Sequence, residues 1–247
     1  MRFFFFIQTK NQMSFQGKAY LVVGASSGIG REVTSRLLEA GAIVFSASRR
    51  APEGLNVAKH FSFEALQADV SALAELPESL HGVVYCPGTI NLKPFQRLST
   101  EELRNDFQIN VVGAVAVLQA CTAALKKSEG ASVVLFSTVA AKLGMAFHTS
   151  VSASKGAVEG LTKALAAEWA PSKIRVNAVA PSLTDTPMGH FLVNTPEKAD
   201  SSNKRHPLGR FGQAADVAAA ALFLLSNEAS WVTGQVFGVD GGMGNLK

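Results

Sequence analysis

Three glycines close to the start of the chain have the spacing of a loop that binds a nucleotide phosphate. Gly24, Gly28 and Gly30 follow an apolar, β-branched run, Ala19–Val23, and precede apolar residues at helical spacing. A strand, a glycine turn and a helix in this order bring backbone N–H groups and the positive end of a helix dipole close to an anion. We therefore predict a phosphate-binding loop here, the alternative being a turn whose glycines serve packing only. Other candidate contacts in the loop are Ser26, Ser27 and Ile29.

Strand and helix patterns alternate along the rest of the chain. Short apolar runs separated by longer amphipathic stretches are typical of βαβ units. With right-handed crossovers they predict an α/β fold, a doubly wound, seven-stranded parallel sheet of Rossmann type with helices on both faces. The predicted strands are 19–23, 42–47, 63–68, 81–86, 131–136, 174–179 and 235–239, and the two longest predicted helices are 100–127, capped by Thr100, and 152–170.

Composition and charge narrow the class of protein. The 247 residues are 47% hydrophobic and 17% charged, which suits one well-buried domain, placed at 14–247. The net charge of +4 comes from scattered basic residues, so no nucleic-acid partner is expected. Two cysteines, Cys86 and Cys121, offer no disulfide framework and favour a reducing, cytoplasmic location. No metal site is predicted.

Two segments fall outside the regular pattern. The apolar run Phe3–Ile7 is too short for a signal sequence or a membrane span, so residues 1–13 are predicted to be a disordered extension. An upstream-start extension or a small apolar anchor are the alternatives. Residues 182–206 show little regular pattern, and a loop of that length is usually functional. We predict a lid over the substrate pocket, with Met188, His190, Phe191 and Leu192 as candidate lining residues.

Several motifs together resemble the short-chain dehydrogenase/reductase family, from about residue 14 to 243. Besides the glycine loop, they are Asn110 in the long helix, the segment Pro181–Thr186, and 234–242 near the carboxyl end. The resemblance implies a Rossmann fold, a nicotinamide dinucleotide cofactor, and hydride transfer to or from a carbonyl or alcohol. Cofactor contacts implied by the resemblance are Asp69, Val70, Cys86, Gly88, Asn110, Lys155, Pro181, Thr184 and Thr186.

The end of the second predicted strand bears on the choice of dinucleotide. An acidic residue there would hydrogen-bond the ribose 2′-hydroxyl of NAD. This chain instead has Arg49 and Arg50, and a guanidinium binds a 2′-phosphate through paired donors. We therefore predict NADP(H) rather than NAD(H), unless both arginines are only solvated charges at the start of a helix.

The family's catalytic pattern is altered at two positions. The family uses Asn, Ser, Tyr and Lys, with the Tyr four residues before the Lys and about thirteen after the Ser. Lys155 matches the lysine, but Val151 stands four residues before it and Thr138 thirteen before that. Thr138 keeps a hydroxyl that can polarise a carbonyl, whereas Val151 has no proton to donate. Using Ser137 as the family serine does not restore a tyrosine.

Three substitutes for the missing proton donor are open. His148 lies three residues before Val151, and an imidazole can donate a proton near neutral pH. A water held by Lys155 and Asn110 could relay a proton, and Ser150 or Ser152 could donate through a hydroxyl. His148 ranks first as a catalytic residue, its alternative being a loop histidine bonded to backbone. Cys86 has no evident basic partner and is interpreted as a structural thiol.

Two functions remain open at this point. The first is an NADP(H)-dependent oxidoreductase with a rebuilt proton-donor site, acting on a small carbonyl or alcohol. The second is a non-catalytic dinucleotide-binding protein that serves as a sensor or partner subunit, which Val151 favours. A methyltransferase on a related glycine turn fits the motifs near the carboxyl end poorly. The resemblance, and the small residues of helix 152–170, predict a homodimer or homotetramer; no membrane partner is predicted.

Overall fold

A computed structural model of the chain describes residues 15–246, and the predicted extension 1–13 lies outside the described residues. Its strands, in chain order, are β1 (Ala19–Val23), β2 (Ile43–Ser48), β3 (Lys59–Ser62), β4 (Gly82–Tyr85), β5 (Ser132–Phe136), β6 (Arg175–Pro181), β7 (Thr184–Asp185), β8 (Gly212–Gln213) and β9 (Val236–Val239). Seven of them form one sheet in the order β3-β2-β1-β4-β5-β6-β9, with every neighbouring pair parallel. The predicted doubly wound, seven-stranded parallel sheet is confirmed.

Helices cover both faces of this sheet. They are α1 (Gly28–Glu39), α2 (Thr100–Phe107), α3 (Gly113–Lys127), α4 (Thr149–Trp169), α5 (Pro196–Lys204) and α6 (Ala214–Leu225). In β1, Leu21 and Val23 belong to the core shared with α3 and α4, whereas Tyr20 and Val22 belong to the core shared with α1 and α6. Successive side chains of a strand point to opposite faces, so a strand covered on both sides is apolar throughout.

The predicted helix 100–127 is continuous but not uniform. Its N-cap is Ser99 rather than Thr100, because Ser99 and Glu102 form a reciprocal capping box. A π-helical turn, Gln108–Val112, separates α2 from α3 and contains Asn110. π-turns often occur at functional sites because the extra residue redirects side chains.

The same stretch, Thr100–Lys127, has the length and composition of a membrane-spanning helix. Buried core helices of soluble proteins meet the same criterion. Here Val117, Leu118, Cys121 and Leu125 are buried in the core beneath the sheet, which accounts for the apolar composition.

Residues 182–206 are more regular than predicted. They contain β7, a 3₁₀ turn at His190–Leu192, and α5. Thr195 caps α5 by accepting a hydrogen bond from the backbone N–H of Lys198, and Pro196 occupies the first helical position. Both are strong helix-start signals that the polar composition of the segment obscured.

Candidate active site

The glycine loop is built so that an anion can approach the first turn of α1. Gly24 and Gly28 have φ of +82° and +54°, and a Cβ on Gly30 would lie 2.2 Å from the carbonyl oxygen of Gly24. Larger residues would therefore strain the turn or separate β1 from α1. Ser27 is the N-cap but makes no side-chain cap, and the first turn carries no acidic residue. The N–H groups at this helix end are consequently not taken by a side chain, which fits a phosphate.

The end of β2 forms the next part of the cleft. Arg49 lines it with a largely exposed side chain, and its Nε lies 3.5 Å from a carboxylate oxygen of Glu64. Ser48 also lines the cleft and donates a 2.8 Å hydrogen bond to the carbonyl oxygen of Arg50. Arg50 itself is not among the lining residues, so the structure brings only one of the two predicted arginines to the cleft.

Asp69 and Val70 are not brought to the cleft either. The third strand was predicted at 63–68, but β3 ends at Ser62, because Lys59–Ser62 is the stretch that pairs with β2. The residues at its carboxyl end, which line the cleft, are Phe63, Glu64 and Ala65. Asp69 lies exposed, and its carboxylate accepts a hydrogen bond from the backbone N–H of Ser71, which lowers the pKa of Asp69. The strand prediction therefore misplaced the cofactor contact that the resemblance implied at Asp69 and Val70.

Lys155 lies at the centre of the other half of the cleft. Its ammonium donates a 2.8 Å hydrogen bond to the carbonyl oxygen of Phe136 at the end of β5. Burial lowers the pKa of Lys155 to about 8, a shift that Cys86 and Asp106 oppose. A Cβ on Gly88 would come within 3.3 Å of the Lys155 nitrogen, so glycine at this position keeps the approach to the ammonium open.

Asn110 faces the same point from the π-helical turn. Its amide nitrogen donates to Ser154 Oγ at 3.0 Å and to Thr89 Oγ1 at 3.3 Å. Its carbonyl oxygen is buried and has no hydrogen-bond partner in the described part of the chain. An orphaned acceptor beside a lysine with unused donors fits a ligand that carries hydroxyl groups, such as the ribose of a dinucleotide.

The two hydroxyls at the end of β5 have different roles. Thr138 Oγ1 accepts a 3.3 Å hydrogen bond from the backbone N–H of Ala140, which leaves the hydroxyl proton free for another group. Ser137 Oγ donates to Glu159 Oε1 at 2.8 Å. Both residues line the cavity, but Thr138 is the one with a hydroxyl proton to offer.

Val151 is buried in the wall of this cavity, 6% exposed, and His148 lines it from the start of α4. His148 Nδ1 lies 2.7 Å from the carbonyl oxygen of Ala146. Of the alternatives, Ser150 donates to the buried carboxylate of Asp106 and Ser152 donates to a backbone carbonyl, and neither lines the cavity. His148 therefore remains a candidate proton donor at the cavity, whereas Ser150 and Ser152 do not.

No phenol reaches the cavity. The chain has two tyrosines, Tyr20 and Tyr85, which lie in β1 and β4 and are 1% and 2% exposed. Tyr85 Oη donates a 2.6 Å hydrogen bond to the carbonyl oxygen of Ile109 and packs against Gly113. Cys86 does line the cavity, but burial raises the pKa of its thiol to about 12, which disfavours a nucleophilic thiolate.

Residues of the 182–206 segment form part of the wall of the cavity, whose volume is about 250 Å³ and whose lining is mostly apolar. Met188 and Leu192 line it as predicted, whereas His190 and Phe191 do not. Sequence reasoning missed Arg205 and His206, which line the cavity beyond α5. The chain after α5 lies next to the end of β6, where His206 contacts Ser182. No local sequence pattern predicts this contact.

The two halves of the site form one continuous cleft along the carboxyl edge of the sheet. Of the residues predicted to bind the cofactor, those that line it are Gly24, Ser26, Ser27, Gly28, Ile29, Gly30, Arg49, Cys86, Gly88, Lys155, Pro181, Thr184 and Thr186. Open parallel sheets bind ligands at this edge. Within residues 15–246, no group of three or more His, Cys, Asp or Glu side chains could hold a metal ion.

Comparison with known proteins gives the family. A family model described as "Enoyl-(Acyl carrier protein) reductase" matches residues 24–244. The chain is 34% identical to the L-xylulose reductase of Bos taurus over 234 residues, which cover 92% of this chain and 96% of the relative. The chain belongs to the short-chain dehydrogenase/reductase family.

Other relatives agree with this assignment. The 3-oxoacyl-[acyl-carrier-protein] reductase of Thermotoga maritima is 34% identical, with 94% of this chain and 99% of the relative covered. The structure of a gluconate 5-dehydrogenase from Burkholderia cenocepacia in complex with NADP and tartrate superposes with a TM-score of 0.86 at 26% identity, covering 95% of this chain and 98% of that one. These relatives are reductases and dehydrogenases, and the chain is a short-chain oxidoreductase, as expected.

Proposed function

We propose that this oxidoreductase transfers a hydride between NADP(H) and a carbonyl or alcohol substrate, with a proton donor other than tyrosine. The observation that carries the proposal is the continuity of the cleft. The glycine loop and the Lys155 cavity share a set of lining residues, namely Ile29, Cys86, Gly88, Thr186 and Met188. A dinucleotide spanning both halves would reach from the start of α1 to the hydroxyl of Thr138.

Different residues along that cleft would bind different parts of the dinucleotide. The open N-terminus of α1 would hold the pyrophosphate, and Arg49 would pair with a 2′-phosphate. Lys155 and the orphaned oxygen of Asn110 would hold ribose hydroxyls, and Pro181, Thr184 and Thr186 would border the nicotinamide. When bound, the cofactor supplies or accepts the hydride. Bound NADP in the gluconate 5-dehydrogenase relative supports this choice of dinucleotide.

The substrate would lie in the apolar half of the cavity. Thr138 would hydrogen-bond the carbonyl oxygen and polarise it, because its hydroxyl proton has no acceptor among residues 15–246. Val151 occupies the position of the family's tyrosine, so the proton would come from another side chain of this wall or from a water held by Lys155 and Asn110. His148 is the donor that sequence reasoning favoured. The apolar lining suits a substrate with an apolar portion.

Direct binding and turnover measurements test this function. We expect NADPH to bind more tightly than NADH in calorimetric titrations at fixed ionic strength. We expect NADPH oxidation with L-xylulose or a 3-oxoacyl thioester, or NADP⁺ reduction with gluconate, since the relatives act on such compounds. Tight cofactor binding without turnover of any of these would favour the non-catalytic sensor or partner subunit. Failure to bind either dinucleotide would reject both functions.

A further inference from the structure

A serine and a histidine from distant parts of the chain form a hydrogen-bonded pair inside the cavity. Ser182 follows β6 directly, and His206 lies just beyond α5. The Ser182 hydroxyl oxygen lies 2.9 Å from His206 Nε2, and His206 Nδ1 lies 2.7 Å from the carbonyl oxygen of Ser202. His206 is 3% exposed and Ser182 is half-buried, and both line the cavity.

The two contacts of His206 give each ring nitrogen a different role in hydrogen bonding. A backbone carbonyl can only accept, so Nδ1 keeps its hydrogen and donates it to Ser202. Proton exchange is therefore confined to Nε2, which faces Ser182. When His206 is neutral, the Ser182 hydroxyl donates to Nε2. When His206 is cationic, Nε2–H donates to Ser182, and the serine's own hydrogen is free to bond a group in the cavity.

Ser182 is at the same sheet edge as Thr138. The strands β5 and β6 run parallel with Phe136 opposite Val179, and the N–H of Ser137 donates to the Val179 carbonyl at 2.8 Å. Thr138 comes two residues after Phe136, and Ser182 comes three residues after Val179. Two hydroxyls therefore line the cavity from neighbouring strand ends, and a carbonyl oxygen bound in the cavity could hydrogen-bond either of them.

We propose that Ser182 and His206 form the proton relay of this enzyme, an inference that rests on the proposed function. As hydride passes from the reduced nicotinamide dinucleotide to the carbonyl carbon, the substrate oxygen takes the proton of the Ser182 hydroxyl. Ser182 takes the proton of His206 Nε2 in turn. His206 ends neutral with Nδ1 still bonded to Ser202, and solvent reprotonates Nε2. In alcohol oxidation each transfer runs in reverse.

His148 is the competing donor in the same cavity. It is half-buried, and its ring makes one hydrogen bond in the described part of the chain, through Nδ1 to the carbonyl oxygen of Ala146. His206 is fixed at both nitrogens and is buried, so its proton has a single direction to travel. A donor held in one geometry before the reaction is the more effective acid.

The first test measures the hydrogen bond between Ser182 and His206 by NMR, without cofactor or substrate. In protein labelled with ¹⁵N-histidine, we expect neutral His206 to carry its hydrogen on Nδ1, and Ser182→Ala to shift the Nε2 resonance. Ser201→Ala is the matched control, because Ser201 is an exposed serine of α5. A hydrogen on Nε2 in the neutral ring, or an Nε2 resonance unmoved by Ser182→Ala, would overturn the relay whatever the enzyme's activity.

The second test is kinetic. We expect Ser182→Ala to lower kcat by about 10²–10⁴-fold, the contribution of a general acid, with the Kd of NADPH unchanged. Ser182→Thr keeps a hydroxyl and should retain most of the rate. His206→Gln should lower kcat by a similar factor to Ser182→Ala. His190→Gln, at an exposed histidine outside the cavity, should leave kcat unchanged. Turnover that survives Ser182→Ala, or that falls only with His148→Gln, rejects the relay alone, whereas a wild-type enzyme that binds NADPH without turnover rejects the proposed activity and the relay together.

Discussion

Val151 and Lys155 lie one helical turn apart on α4, and both are buried in the wall of the same cavity. Residues four apart on a helix share a face, so a side chain at 151 is presented to the same volume as the Lys155 ammonium. An aliphatic side chain at this point offers no proton to the part of the cavity that the Lys155 ammonium faces.

Val151→Tyr should therefore restore a general acid beside Lys155. We expect faster NADPH-dependent carbonyl reduction, by less than the ~10²–10⁴-fold that a sole general acid contributes, because Ser182 and His206 already supply a proton. The larger ring extends into a cavity of about 250 Å³ rather than into packed core. Val151→Phe is the matched control, since it adds the ring without the hydroxyl. Equal rates in the two variants would show that position 151 influences the site through volume alone.

The buried ammonium of Lys155 predicts a particular pH dependence of stability. Its pKa is about 8 in the folded protein and 10.5 in an ordinary lysine. The unfolded chain therefore binds more protons between those values, so the free energy of unfolding rises with pH in that window. Relative to Lys155→Met, wild-type stability should rise by about 1.4 kcal/mol per pH unit.

Urea unfolding of both proteins across that window measures the difference. The contribution is constant below the folded pKa and again above the unfolded one, so the rise is confined between them. Lys163→Met, at an exposed lysine of the same helix, should show no such rise. A flat difference for Lys155→Met would mean that the ammonium is solvated.

Arg49 and Glu64 should set the preference between dinucleotides. Arg49→Ser removes the guanidinium that would meet a 2′-phosphate, and we expect NADPH affinity to fall by about tenfold or more with little change for NADH. Glu64→Gln should raise NADPH affinity, because a carboxylate 3.5 Å from Arg49 competes with the phosphate. Arg50→Ser is the control, since Arg50 does not line the cleft. Parallel loss of both dinucleotides in Arg49→Ser would contradict the assignment.

The outer face of α4 should form a subunit contact. Gly156 and Gly160 are exposed, and a Cβ on either would meet no atom within 4 Å, so the fold of one chain does not require glycine there. We expect a homodimer or homotetramer by light scattering and a smaller species for Gly160→Arg. Glu39→Arg, on the exposed side of α1, should leave the mass unchanged. A monomeric wild-type protein would exclude the contact.

The sequence by itself determined the parts of this protein that depend on neighbouring residues. The apolar run Ala19–Val23, the three glycines after it and the helical spacing beyond them led to the β1–α1 turn. The same kind of pattern placed the other strands of the sheet except β3, and one helical turn of spacing placed Val151 beside Lys155. Backbone conformation and the facing of side chains follow from local periodicity, so a sequence displays them directly.

Only the tertiary structure decided which distant residues meet. The pairing of β3 with β2 brought Phe63 and Glu64 to the cleft in place of Asp69 and Val70. The return of α5 brought His206 to within 2.9 Å of Ser182 across 24 positions of sequence. Strand register and helix docking are set by the packing of the whole core, and a serine and a histidine that far apart carry no local pattern that would join them.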